Sequence, residues 1–216
     1  MICRCGCPRG MPIRGKVGLI VGERFLFLWS GGYVEDASQQ PDASLIKYTS
    51  SGTQSFANIF SGIGDNSDNI HAIISDASDN IYAAGYSFGK HNGRMWCLQK
   101  INSSGTVLWT RFIDGTSPES DDEANAIAID NSGNIIVSGF TKNTSTSGDF
   151  TIAKYNPAGD TLWVKYYNSP ISENDKAYDM KLDASGNIDP HCTKARAKYG
   201  LLPVVNLDLS NRVDVV

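Results

Sequence analysis

Gly85-Tyr86-Ser87-Phe88-Gly89 spells G-x-S-x-G, the spacing of a hydrolase nucleophile. That chemistry needs the serine on a strand-to-helix elbow, with an acid and a histidine beside it. His91 is close in sequence, but nothing in the pattern gathers an acid and a histidine around Ser87. Gly89-Lys90 looks like the tail of a phosphate loop, yet His91 stands where Ser or Thr is needed and the four-residue spacer is missing. Cys3, Cys5 and Cys7 alternate near the N-terminus. Structural zinc sites space paired cysteines by two to four residues and add a second distant pair; Cys97 and Cys192 do not form one. The five cysteines also leave a disulfide framework incomplete. His71, His91 and His191 lack the H-E-x-x-H spacing of a zinc protease. The residue types are therefore present, but no spacing assigns catalysis, and no metal is expected from the cysteines or histidines.

The chain that must position these residues has 216 of them, 41% hydrophobic and 19% charged, enough for one good-sized domain or two small ones. The net charge of −4 argues against generic binding to nucleic acid. No stretch approaches the roughly 20 apolar residues of a bilayer span. Arg4, Arg9, Arg14 and Lys16 form a basic start, but Glu23 and Arg24 interrupt the apolar stretch beyond them, so no export signal is read there. Charge divides the chain into three zones. Residues 1–27 carry five basic and one acidic residue, residues 28–189 ten and twenty, and residues 190–216 four and two. A middle of −10 between flanks totalling +6 marks boundaries near 28 and 189.

The middle zone repeats. Lys47, Lys100 and Lys154 lie 53 and 54 residues apart; each is followed by a glycine (Gly52, Gly105, Gly159) and then an aromatic (Phe56, Trp109, Trp163). Asp76-Ala77-Ser78-Asp79-Asn80-Ile81 matches Asp130-Asn131-Ser132-Gly133-Asn134-Ile135 and Asp183-Ala184-Ser185-Gly186-Asn187-Ile188. A further aspartate stands eight residues before each: Asp68, Asp122 and Asp175. Gly85-Tyr86 and Gly139-Phe140 recur in step, with Gly32-Tyr33 before them. The pattern ends at Ile188, where Asp189-Pro190 replaces an expected strand, and the two flanks, 1–27 and 190–216, are off-pattern.

Turn chemistry predicts hairpins. Asn156-Pro157-Ala158-Gly159 presets a type I turn with a left-handed glycine. The Asp-x-Ser-Gly turns add an aspartate that bonds its own turn backbone, which assigns a structural role to Asp76, Asp130 and Asp183. Asp79 takes the glycine position in the first copy, and aspartate is among the few residues that tolerate it. Short runs of β-formers between turns, without a helix pattern, predict an all-β fold. Four strands per repeat of 53–54 residues make one β-propeller blade.

Asp122 to Ile135, continued through Gly139-Phe140-Thr141 and Asp149-Phe150-Thr151-Ile152-Ala153-Lys154-Tyr155-Asn156, resembles the bacterial seven-bladed β-propeller repeat family of SBBP type. The resemblance covers about residues 28–189. It implies inner strands near 69–75, 123–129 and 176–182, and a secreted or surface protein. About three blades of antiparallel strands fit in the chain, too few to close a ring of about 4–8. The expectation is a fragment of a larger propeller, with self-association through open blade edges as an alternative.

Function should then lie in the long connections, which alternate with the tight turns and share the opposite face. Connections 61–68, 114–122 and 168–175 hold Asp65, Asp68, Asp114, Glu119, Asp121, Asp122, Glu173 and Asp175 and no lysine or arginine. Asp65, Asp121 and Glu173 are the candidate ligand contacts of this rim, for calcium or a cationic partner. Asp68, Asp122 and Asp175 recur at one position, which points to turn bonding instead. His71, Asn125 and Tyr178 share one position on the inner strands and are the candidates for a channel site. The reading is a non-catalytic module presenting loops to a protein or glycan; the alternative is part of a propeller-type lyase or hydrolase acting in its central channel.

Overall fold

The computed structural model describes residues 13–21, 28–35, 41–49, 51–60, 66–89, 93–117, 119–144, 148–167, 175–188, 194–197 and 200–201. Among these every regular element is a strand. The first sheet is β1 (Ile13–Val21), β2 (Leu28–Glu35), β3 (Pro41–Tyr48) and β4 (Gln54–Phe60). The second is β5 (Asn69–Ser75), β6 (Ile81–Phe88), β7 (Arg94–Ile101) and β8 (Val107–Ile113). The third is β9 (Glu123–Ile129), β10 (Ile135–Thr141), β11 (Asp149–Tyr155) and β12 (Thr161–Tyr167). The fourth is β13 (Lys176–Asp179), β14 (Lys194–Ala197) and β15 (Gly200–Leu201). Each sheet is an antiparallel meander in chain order, and none closes on itself. The first strands stand side by side, β1 against β5, β5 against β9 and β9 against β13. This is the arrangement of propeller blades around an axis, as an incomplete ring.

Sheet pairing runs past both limits of the sequence repeat. β1 pairs with β2 through Ile20↔Trp29 and Val21↔Leu28, and β14 pairs with β13 through Ala177↔Ala195. A blade whose inner edge lacked a partner would leave backbone groups unpaired, and any run of β-formers can supply them.

The core lies between blades. Trp96, Leu98 and Tyr82 of the second blade meet Ile135, Val137 and Tyr155 of the third. Leu45, Ile70, Ile81 and Ile101 fill the layer before it, and Ile136, Ile152, Phe150 and Met180 the layer after. β10 is buried along its whole length because both its faces are covered, whereas outer β12 is at most half-buried, with Thr161, Leu162 and Tyr166 exposed.

The repeated residues are mostly joints between blades. Lys47 Nζ donates to Ser103 O of the next blade at 3.0 Å, and Lys100 Nζ to Pro157 O at 3.2 Å. A Cβ on Gly105 would meet the Phe56 ring at 2.9 Å, and one on Gly159 the Trp109 ring at 2.9 Å. The aromatic of one blade thus packs under the turn glycine of the next, which couples the two in sequence.

The Asp-x-Ser-x-Asn turns use the aspartate as a clasp. Asp130 Oδ1 accepts from Ser132 N and Asn134 N at 2.9 and 2.8 Å; Asp76 and Asp183 repeat the pattern. Burial opposes ionisation of Asp130, but Lys154 Nζ at 2.8 Å and the Asn134 bonds outweigh it and hold the carboxyl at about 2. The fourth turn position has φ of 78° at Gly133 and 79° at Gly186, and 60° at Asp79. A side chain there is strained, so Asp79→Gly is expected to stabilise the protein by about 0.5–1 kcal/mol in urea denaturation. An unchanged or lower midpoint would show that Asp79 compensates its strain elsewhere.

Candidate functional site

The inner strands carry a bulge in each blade. Ile70 pairs with Gly85 and Ala72 with Ala84, so His71 is the extra residue of β5. Ala124 pairs with Gly139 and Ala126 with Ser138, which leaves Asn125 extra in β9. In β13 the pairs Ala177↔Ala195 and Asp179↔Lys194 leave Tyr178. The three residues that share one repeat position are therefore the bulged residues, turned out of the normal alternation.

The first two join in a ladder across blades. Asn125 Nδ2 donates to Ala177 O at 2.8 Å, which turns its Oδ1 toward His71. His71 Nδ1 lies 3.0 Å from that oxygen and 3.2 Å from Ala124 O. Both are acceptors, so Nδ1 carries a proton and serves as a donor. The bulge side chains thus satisfy carbonyls at the next blade's bulge and set its register. Tyr178 is 44% exposed.

A charged group flanks the ladder. Arg94 Nη1 bonds Glu123 Oε1 at 2.7 Å, and its Nε lies 3.7 Å from Asp121 Oδ1. The guanidinium stacks on Tyr86 at 4.4 Å, and Tyr86 meets the His71 ring edge-on at 5.3 Å. Lys176 Nζ sits 3.6 Å above Phe140, where burial lowers its pKa against the opposing pull of Glu123 and Asp121. Arg94, Glu123 and Lys176 carry no signal in the sequence, since a strand position does not reveal its neighbour in the next blade.

The recurrent aspartates are buried anchors. Asp122 Oδ2 accepts from Gly115 N at 2.6 Å and Oδ1 from Lys142 N at 2.7 Å. Its own N–H donates to Arg94 O at 2.8 Å. Asp68 Oδ1 accepts from Phe88 N at 3.0 Å, while Asp68 N and Asp175 N bond Pro41 O and Gly148 O of the preceding blades. Burial, with the Asp114 carboxylate beside it, pushes Asp122 up to about 6 against its two N–H bonds. Such residues join blades rather than face solvent.

Of the acidic rim, Asp121 is exposed and engaged by Arg94; Asp65 and Glu173 lie outside the described residues, as do His91, His191, Lys90 and Cys3, Cys5 and Cys7. Among the described residues no three His, Cys, Asp or Glu side chains converge for a metal ion. Ser87 is buried within β6, which runs on to Phe88 in the middle of a sheet, so G-x-S-x-G here is strand and not elbow. Cys97 is half-buried on the wall of the space between the first and second blades, and desolvation followed by the charge of Asp68 pushes its thiol up to about 12, far from a reactive thiolate.

The long-connection face does hold a cavity. Between the start of β7 and the connection that follows β8, a space of about 210 Å³ is lined by Met95, Asp114, Thr116, Ser117, Glu119 and Ser120, among others. Glycines shape it: a Cβ on Gly93 would fall 2.2 Å from Ser120 O. Glu119 holds φ 54° at its rim. Ser120 is 4% exposed, and its Oγ has no hydrogen-bond partner among the described residues. Asp114 and Glu119 belong to the rim read from sequence; Thr116 and Ser120 give no such signal, because connections of unequal length fall outside the repeat alignment.

The fold and the blade-to-blade pairing define a propeller-type repeat protein. No family model matches the chain, and no curated protein matches it. Among solved structures it is similar to a protein of unknown function from Bacteroides caccae, at 13% identity and TM-score 0.43 over 83% of this chain and 61% of that one. It is similar to a protein described as a gluconolactonase, at 14% identity and TM-score 0.38 over 90% and 78%. It is similar to the extracellular domain of a protein described as a hybrid two-component system from B. thetaiotaomicron, at 13% identity and TM-score 0.42 over 91% and 28%. The chain spans less than two thirds of the first and third of these. At such identities and scores the likenesses bear on no residue of the site. No helix among the described residues is long and apolar enough to cross a membrane.

Proposed function

We propose that this chain is a non-catalytic propeller repeat module of a larger secreted or surface bacterial protein, related to the SBBP-type repeats, and that its long-connection face binds a glycan or protein. The observation that carries the binding role is the cavity beside Ser120. Its walls offer carboxylate acceptors from Asp114 and Glu119, hydroxyls from Ser117 and Ser120, and the thioether of Met95, while the Thr116 hydroxyl is held by Asn143 and Thr144. Convergent polar groups around a small apolar surface are what a polyhydroxylated ligand requires. A buried hydroxyl without a partner costs stability that a ligand oxygen would recover.

A glycan array probed with the full chain tests this. The expected outcome is a restricted set of bound glycans, whose affinity falls roughly tenfold or more in Ser117→Ala and Ser120→Ala, one lost hydrogen bond to ligand being worth about that much. A flat array, or binding that both variants retain, removes the glycan reading and leaves a protein ligand to be sought on the same face.

A second reading, a propeller-type lyase or hydrolase working in the central channel, draws on Arg94, Glu123, Tyr86 and His71. Arg94 is already neutralised by Glu123 and Asp121, and His71 Nδ1 donates to backbone and amide oxygens. The groups are spent on joining blades, which supports the binding module over the enzyme.

A further inference from the structure

The layers between blades are equivalent by repeat, but they are not filled alike. Ala43, Trp96 and Phe150 occupy the same position of the third strand in successive blades, 53 and 54 residues apart. Their pairings confirm the equivalence: Ala43↔Phe60, Trp96↔Ile113, and Phe150 likewise opposite Tyr167 on the fourth strand. Trp96 fills the layer between the second and third blades and is fully buried. Phe150 does so in the next layer. The facing strand shows the same trend, with Val137 packed near Trp96 and Ala83 at the matching place near Ala43.

Two side chains that are large in one layer are thus small in the other. The result is a half-open cavity of about 280 Å³ between the first and second blades. Ala43, Phe60, Ile70, Ala83 and Phe112 form its apolar walls. Asp68, Asn69, Ser87, Gln99 and Thr110 supply its polar lining, and among these the buried Asn69 Oδ1 has no hydrogen-bond partner among the described residues. An apolar cavity of about 150 Å³ is already large enough to take up benzene. A packed interior does not leave such a space without losing dispersion contacts along its walls.

We propose that this inter-blade cavity is a binding site for a small planar aromatic molecule carrying one hydrogen-bond donor, of indole or phenol type. The ring takes the place that the indole of Trp96 takes in the sister layer, and the donor meets Asn69 Oδ1. This site is separate from the cavity beside Ser120 and does not depend on it.

Thermal melting of the full chain with indole as the probe tests the proposal. Indole is expected to raise Tm saturably, as any ligand of the folded state does. Ala43→Trp is expected to raise Tm without indole and to abolish the indole-induced rise. Ala83→Val narrows the same space by less and is expected to weaken indole roughly tenfold, and it decides the matter if Ala43→Trp does not fold. A folded wild type whose Tm ignores indole overturns the proposal, as does an indole response that both substitutions leave unchanged.

Discussion

Gly139→Ala is expected to cost about 3 kcal/mol or more in equilibrium unfolding, as much as severe overpacking of a core does. A Cβ at this position would lie 1.9 Å from Glu123 O and 3.0 Å from Ala124 Cα. Both are backbone atoms of the inner strand, so no side chain can rotate aside. The contact arises because Asn125 bulges out of β9 and brings Glu123 and Ala124 close to β10. Gly139 is required for space and not for its dihedral, since only Gly52, Gly105, Gly133, Gly159 and Gly186 have positive φ among the described glycines. Gly52→Ala is the control: φ is 80° there, but nothing lies within 4 Å of the added methyl. Its cost should be about 1 kcal/mol. Equal losses in the two variants would show that the close approach across the bulge is not what selects glycine.

Asp122→Ala is expected to destabilise the protein by about 3 kcal/mol at neutral pH, because two backbone donors, Gly115 N and Lys142 N, lose a charged acceptor at once. Its pH dependence carries a distinctive sign. Burial raises the folded pKa from 3.8 to about 6, so the fold prefers the protonated acid. That contribution is complete below the unfolded value near 4 and is lost as pH rises through about 6, an effect on the order of 3 kcal/mol. Asp130 behaves oppositely: held at about 2, it supports the fold above pH 4 and ceases to do so as pH falls through 2. Urea denaturation from pH 4 to 7 should therefore show wild-type stability declining with pH, and the decline should vanish in Asp122→Asn. A slope that persists in that variant would assign it to another group.

Much of the fold is legible in the repeat. The inner strands expected near 69–75 and 123–129 are β5 and β9, and the last, expected over 176–182, stops at Asp179, where the repeat itself departs from pattern. The turns are legible because a left-handed glycine and an aspartate two residues from a serine act within five residues. The sites are less so. His71, Asn125 and Tyr178 are equivalent in the repeat, but nothing there shows them to be bulges, since a bulge is defined by the partner strand. Arg94 and Glu123 lie 29 residues apart and meet only because β7 of one blade runs beside the loop entering the next.

The sequence by itself determined the repeat period, the order of tight turns and long connections, and the placement of recurring lysines, aspartates and aromatics. These follow from local dihedral preference and from alternation along single strands. Only the tertiary structure decided what each repeated position faces. Trp96 is core and Ala43 is the wall of a cavity, although they share one position. Asp122, which its repeat position already assigns to turn bonding, joins Gly115 N of one connection to Lys142 N of another, and that pairing is set by the fold. The reason is that blade faces are built from residues some 53 apart, and whether two such residues fill a space, leave it open or exclude water from a carboxylate depends on both of them together.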